Sequence, residues 1–93
     1  MHALVVLVRL EPGHDEEGRA QLETDVLPRV RQAPGVVAGY WAQSPKGDRG
    51  YSMILFESEE AAQAAAEMAQ NSPRPDFVAF DTVEVCEIVA QLG

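Results

Sequence analysis

Residues Ala3 to Leu10 read Ala-Leu-Val-Val-Leu-Val-Arg-Leu, and they are apolar at odd and even positions alike. β-Branched residues dominate the run and Pro12-Gly13 ends it, which predicts a strand. Successive side chains of a strand point to opposite faces, so Leu4, Val6 and Val8 fall on one side and Ala3, Val5 and Leu7 on the other. An antiparallel sheet with one wet face would alternate apolar with polar residues. This strand does not, so both faces of any sheet it joins need cover. At six residues the purely apolar stretch, Ala3 to Val8, is too short to cross a bilayer. It also lacks the basic start and small-residue cleavage site of a secretory leader.

The rest of the chain supplies the partners of that strand. Asp15 is placed to cap a helix, with Glu16 and Glu17 favourable at its positive end and Arg29 and Arg31 at the far end. Leu22, Val26 and Val30 recur at helical spacing. Pro28 removes a bond to the Thr24 carbonyl and is expected to kink the helix or end its regular part, and Pro34-Gly35 stops it. Val36 to Gln43 and Tyr51 to Glu57 read as strands joined by the turn-rich Ser44 to Gly50. Ser58 can cap a second helix over Glu59 to Gln70, whose six alanines favour a helix and allow it to sit close to a sheet. Asn71 to Asp81, with Pro73 and Pro75, reads as a loop, and Thr82 to Leu92 as the last strand. The order βαββαβ with right-handed crossovers predicts an α+β, ferredoxin-like fold: a four-stranded antiparallel sheet with two helices on one face.

Two helices cover one face only. Strand three has the same two-sided character as strand one, with Ile54 and Phe56 on one side and Tyr51, Met53 and Leu55 on the other. The economical cover for the second face is another copy of the same sheet in a two-fold homodimer. The order of elements, Pro34-Gly35-Val36 at the entry to strand two, and Val83-Glu-Val-Cys-Glu-Ile88 at the end resemble the dimeric α/β-barrel superfamily, and within it the small antibiotic-biosynthesis-monooxygenase-type proteins. The resemblance spans nearly the whole chain as a single domain, residues 1–93. It implies cofactor-independent oxidation of electron-rich aromatics in a cavity that desolvates the substrate and favours its deprotonated form. The haem-degrading branch of that group has an asparagine in the first strand and a histidine on the second helix, and neither is present here.

Candidate site residues follow from the strands. Tyr40 and Trp41 are adjacent, so one faces the helices and the other the second face, and Tyr51 shares that second face if Ile54 and Phe56 pack under the helices. Such aromatics either line a cavity for a flat small molecule or fill the core or the dimer seam. Arg9 interrupts an apolar strand; it could face a bound anion, or lie at the rim with its stem packed and its head wet. His2 and His14 have no metal-binding spacing, and no metal or other cofactor is expected. Cys86, the sole cysteine, excludes an intrachain disulfide, fits a reducing cytoplasm and reads as a small buried hydrophobe.

Fifteen acidic residues against seven basic ones give a net charge of −8, which opposes nucleic-acid binding. Arg49-Gly-Tyr-Ser-Met-Ile-Leu-Phe56 tracks the RNP1 pattern of RNA-recognition motifs, but Met53 stands where an aromatic should stack on a base. The functions left open are a small-molecule-binding monooxygenase, a sensor without turnover, and a structural or regulatory dimer. No membrane partner is expected.

Overall fold

The computed structural model describes residues 1–93, in which four antiparallel strands form one sheet of order β2-β3-β1-β4. The strands are β1 (His2–Leu10), β2 (Val36–Gln43), β3 (Arg49–Phe56) and β4 (Val78–Glu87). Between β1 and β2 lie α1 (Asp15–Gln21), a π-helical turn (Leu22–Val26) and α2 (Leu27–Arg31), which follow one another without a break. Between β3 and β4 lies α3 (Glu59–Asn71). This is the ferredoxin-like βαββαβ arrangement expected from the order of elements. No helix is long and apolar enough to cross a membrane.

The sheet divides its side chains as β1 foretells. Leu4, Val6, Ile54 and Phe56 form the core with Ala62 and Ala66 of α3, and Leu4 and Phe56 are only 2% and 1% exposed. Burying a side chain of that size is worth about 1.5–3 kcal/mol, so these two anchor the helical layer. The alanines allow α3 to lie close on β1, β3 and β4. Ser58 caps it, its Oγ accepting from Ala61 N–H at 3.1 Å. Gly35 is required where the chain turns into β2: its φ is +78°, and a Cβ there would stand 3.0 Å from the Ala61 Cβ.

The first helical run departs from a plain helix where Pro28 perturbs it. The regular part ends at Gln21, the turn at Leu22–Val26 widens, and Leu27 N–H reaches back to the Leu22 carbonyl. The Thr24 hydroxyl donates to the Ala20 carbonyl at 2.8 Å, competing with the backbone ladder. Pro28 then occupies the first turn of α2, where its missing N–H is tolerated. His14, not Asp15, holds the N-cap position, without a side-chain capping bond, and Asp15 is the first helical residue.

Two register shifts reset the alternation on the edge strands. In β2 the shift lies between Val36 and Ala38. In β4 it lies opposite Leu7 and Val8, where Thr82 and Phe80 are the successive partners and Asp81 is the extra residue. Val78 and Phe80 therefore share the helix-side face with Val83 and Val85, although their positions in sequence have opposite parity. The last strand consequently begins at Val78, inside the segment expected to be a loop, and ends at Glu87. After Glu87, Ile88 N–H still reaches the Met1 carbonyl at 3.0 Å, but Val89 and Leu92 are exposed.

Candidate functional site

A cavity of about 600 Å³ lies on the helix-side face of the sheet, between the first helical run and the C-terminal half of α3 with the segment that follows it. It exists because that run is fastened at its ends and held off in the middle. At the start, Arg19 Nε donates to Gln43 Oε1 at 2.7 Å, joining α1 to the end of β2. Asp15 rests against Gly47 of the β2–β3 turn. At the far end, Val30 and Ala33 pack on the core. No residue of α1, the π-helical turn or α2 is buried, and Leu22 and Val26 form the roof of the cavity.

The floor is the helix-side face of the sheet, with Val6, Val8, Trp41, Ile54 and Phe80 among its residues. Register decides which aromatic points there. Trp41 pairs with Ser52, which pairs with Val6 of the core, so Trp41 faces the cavity. Its ring folds back over Gly39, where a Cβ would lie 2.8 Å from two ring carbons. The indole thus lies against the strand only because residue 39 has no side chain. The Ser52 hydroxyl donates to the Val6 carbonyl at 3.2 Å and is occupied.

The other candidates are distributed as follows. Tyr40 pairs with Met53, which pairs with Val5, so it stands on the second face and is 69% exposed. Tyr51 borders the cavity, but its register opposite Leu7 sends its side chain to the second face, where it is 41% exposed. Arg9 also leaves from the second face and is exposed, with its Nε 3.5 Å from Asp81 Oδ1. The structure therefore separates Trp41 from Tyr40 and Arg9 by the thickness of the sheet. Cys86 is half-buried on the second face opposite Ala3.

Sequence reasoning passed over Phe80 and Arg74. Phe80 falls in the segment that reads as a loop, and only the irregularity at Asp81 brings it into phase with the core. The Arg74 guanidinium lies over the Phe80 ring, 4.4 Å from its centroid, at the cavity's edge. No histidine or cysteine lines the cavity. His14 stacks on Phe77 at 4.5 Å and meets Glu17 at 2.9 Å, while His2 meets Glu59 at 3.5 Å. No group of three or more His, Cys, Asp or Glu side chains is placed to hold a metal ion.

No protein-family model matches the sequence, and no curated protein does. Solved structures do. A haem-degrading protein of Mycobacterium tuberculosis, MhuD, described with two haems in its active site, is similar over the full length of both chains at 20% identity and a TM-score of 0.76. The monooxygenase ActVA-Orf6 of Streptomyces coelicolor, in complex with nanaomycin D, matches 99% of this chain and 91% of its own at 16% identity and a TM-score of 0.62. A dimeric ferredoxin-like protein from an uncultured marine organism matches 99% of this chain and 98% of its own at 12% identity and a TM-score of 0.67. The residues here do not fit a haem held by histidine or cysteine, since neither type borders the cavity. What the chain shares with these proteins is the ferredoxin-like fold, one that monooxygenases also use.

Proposed function

We propose that this protein binds a flat aromatic or quinone-like small molecule in the cavity beneath the first helical run, and acts on electron-rich members of that class as a cofactor-independent monooxygenase. The observation that carries the reading is the cavity itself, with Trp41 on its floor. Its volume falls in the range of small-molecule sites, about 300–1,000 Å³. Its lining is mostly apolar, which suits a ring system and desolvates whatever enters. A neighbour of the same fold, the monooxygenase in complex with nanaomycin D, supports a small-molecule site.

In such a reaction the deprotonated aromatic is the reductant and dioxygen the oxidant. One oxygen atom becomes bonded to a ring carbon in place of hydrogen, and the other leaves as water with two hydrogens given up by the ligand, the proton lost on ionisation among them; the ligand supplies the four electrons. The ligand's own electrons suffice, so no resident cofactor is needed. The protein's part is to hold the ring and exclude water.

Residues 1–93 are proposed to work as one domain of a homodimer closed through the second sheet face. Tyr40, Tyr51 and Met53 stand exposed together there, and a contiguous apolar patch of this kind marks an interaction surface. The neighbour described as a dimeric ferredoxin-like protein supports the same assembly. A cytoplasmic setting suits the single free thiol, Cys86.

The test uses Trp41, the sole tryptophan, as reporter. Titration with a panel of quinols and anthrones is expected to move its indole N–H resonance saturably, and oxygen uptake is expected with at least one ligand that binds. Saturable binding without oxygen uptake across the panel would leave a sensor. No shift with any member would sink the reading altogether.

A further inference from the structure

Charge is distributed unevenly between this cavity and the rest of the molecule. The chain carries fifteen acidic and seven basic residues. Yet Arg19, Arg29 and Arg74 border the cavity, and Asp15 is the one acidic residue that does. The three arginines are not equivalent. Arg29 is neutralised by Asp25, with its Nη2 2.6 Å from Oδ2. Arg19 spends Nε on Gln43.

Arg74 is in neither state. The ion pairs of the protein involve His2, Arg9, His14 and Arg29, and Arg74 is absent from its side-chain hydrogen bonds. What positions it is the Phe80 ring, 4.4 Å from the guanidinium carbon. A guanidinium over an aromatic face is steadied through that face, while its five N–H donors lie at the edge of the group and remain free. Pro73 and Pro75 flank the residue and limit the backbone freedom of the segment that carries it. The result is a positioned, unneutralised cation at the edge of an apolar cavity, directly over one of the aromatic rings that form its floor.

We propose that the ligand is an aromatic monoanion, a flat ring system bearing a carboxylate, and that Arg74 receives the carboxylate while the rings lie on the Phe80 and Trp41 side of the cavity. This rests on the reading of the cavity as an aromatic site and adds the charge of its occupant. A planar guanidinium meets a carboxylate through two parallel N–H bonds, which fixes orientation as well as adding affinity. The overall negative charge does not oppose this, because exposed charges more than about 10 Å away are largely screened at moderate salt.

The experiment compares 2-naphthoate with 2-naphthol, which is neutral near pH 7, by the shift of the Trp41 indole N–H resonance in the full chain. A charge-assisted contact at an exposed arginine is expected to make naphthoate bind about 3- to 10-fold more tightly. Arg74→Gln should abolish that preference, and Arg74→Lys should keep part of it. Arg31→Gln makes the same change of net charge on α2 away from the cavity and should keep all of it. Naphthol binding as tightly as naphthoate, or the preference surviving in Arg74→Gln, would overturn the inference and leave aromatic binding intact. Failure of both compounds to move the resonance would overturn the aromatic-site reading on which it rests.

Discussion

Substituting Gly39 with alanine isolates the packing that shapes the cavity floor. The new methyl would stand 2.8 Å from Cη2 and Cζ3 of Trp41 and 3.7 Å from Ile54 Cγ1. Carbon atoms in contact settle at about 3.5–4.0 Å, so the indole has to retreat by roughly 1 Å while Ile54 need not move. The strand backs the ring on one side, and the only open direction is into the cavity. Gly39 has no positive φ, so alanine fits the backbone. Overpacking costs about 1–3 kcal/mol, and relief of glycine's entropic penalty in a strand returns roughly 0.5–1 kcal/mol. A net loss of about 1 kcal/mol lowers Tm by about 4–8 °C in a domain of this size. Aromatic affinity suffers more, because a displaced indole occupies the ligand's space; roughly tenfold weaker binding, about 1.4 kcal/mol, is expected. Two-dimensional NMR of the indole N–H, thermal melting and a 2-naphthol titration read the three quantities. A variant whose indole resonance and naphthol affinity both match the parent's would refute the seating of Trp41 over Gly39 as the determinant of the floor.

Two other expectations concern different parts of the fold. Ser58→Ala removes the acceptor for Ala61 N–H and should cost about 1 kcal/mol in urea unfolding, with aromatic binding unchanged; no loss would mean that the cap is redundant. Met53→Glu places a charge amid Tyr40, Tyr51 and Leu55 on the second face, and light scattering should show the mass falling from twice 10.1 kDa to 10.1 kDa while the indole environment of Trp41 persists. A parent protein that is monomeric at every concentration would refute the dimer directly.

The general architecture was legible because strand pairing, helix capping and turn residues all act locally. Val36–Gln43 matches the expected strand, and the Ser58 cap and the alanine-rich helix stand where the sequence puts them. Side assignment on the edge strands was not legible, for a specific reason. An extra residue in a strand inverts the parity of everything beyond it, and nothing in the composition of Val36-Val37-Ala38 or Phe80-Asp81-Thr82 announces one. That is why the sequence could say that Tyr40 and Trp41 diverge but not which of them faces the helices. Val78 and Phe80 read as loop because Pro73 and Pro75 precede them, and the parity they share with the core through the extra residue Asp81 could not correct that reading. Arg74 was illegible for a further reason, because its partner is a ring on a strand that had not been recognised.

The cavity follows from a conflict within the first helical run. A regular helix through residues 15–31 would carry Leu22, Val26 and Val30 along one stripe toward the sheet, closing the space as α3 does where Ala62 and Ala66 pack on the core. Pro28 forbids an ordinary ladder there, and the π-helical turn at Leu22–Val26 changes the rotation per residue just before it. The stripe is broken between two fixed ends, one held by Arg19 and Gln43 and the other by Val30, Ala33 and the close approach of Gly35 to Ala61. An arch held at both ends and unburied between them leaves apolar surface facing apolar surface across a gap. That arrangement forfeits both the hydrophobic gain and the dispersion contacts of a packed layer. It is difficult to explain as a means of stability in a chain with only seven buried residues. An aromatic ligand lying on Trp41 would restore those contacts, so the unpacked layer is itself an argument that the molecule is built to be completed by one.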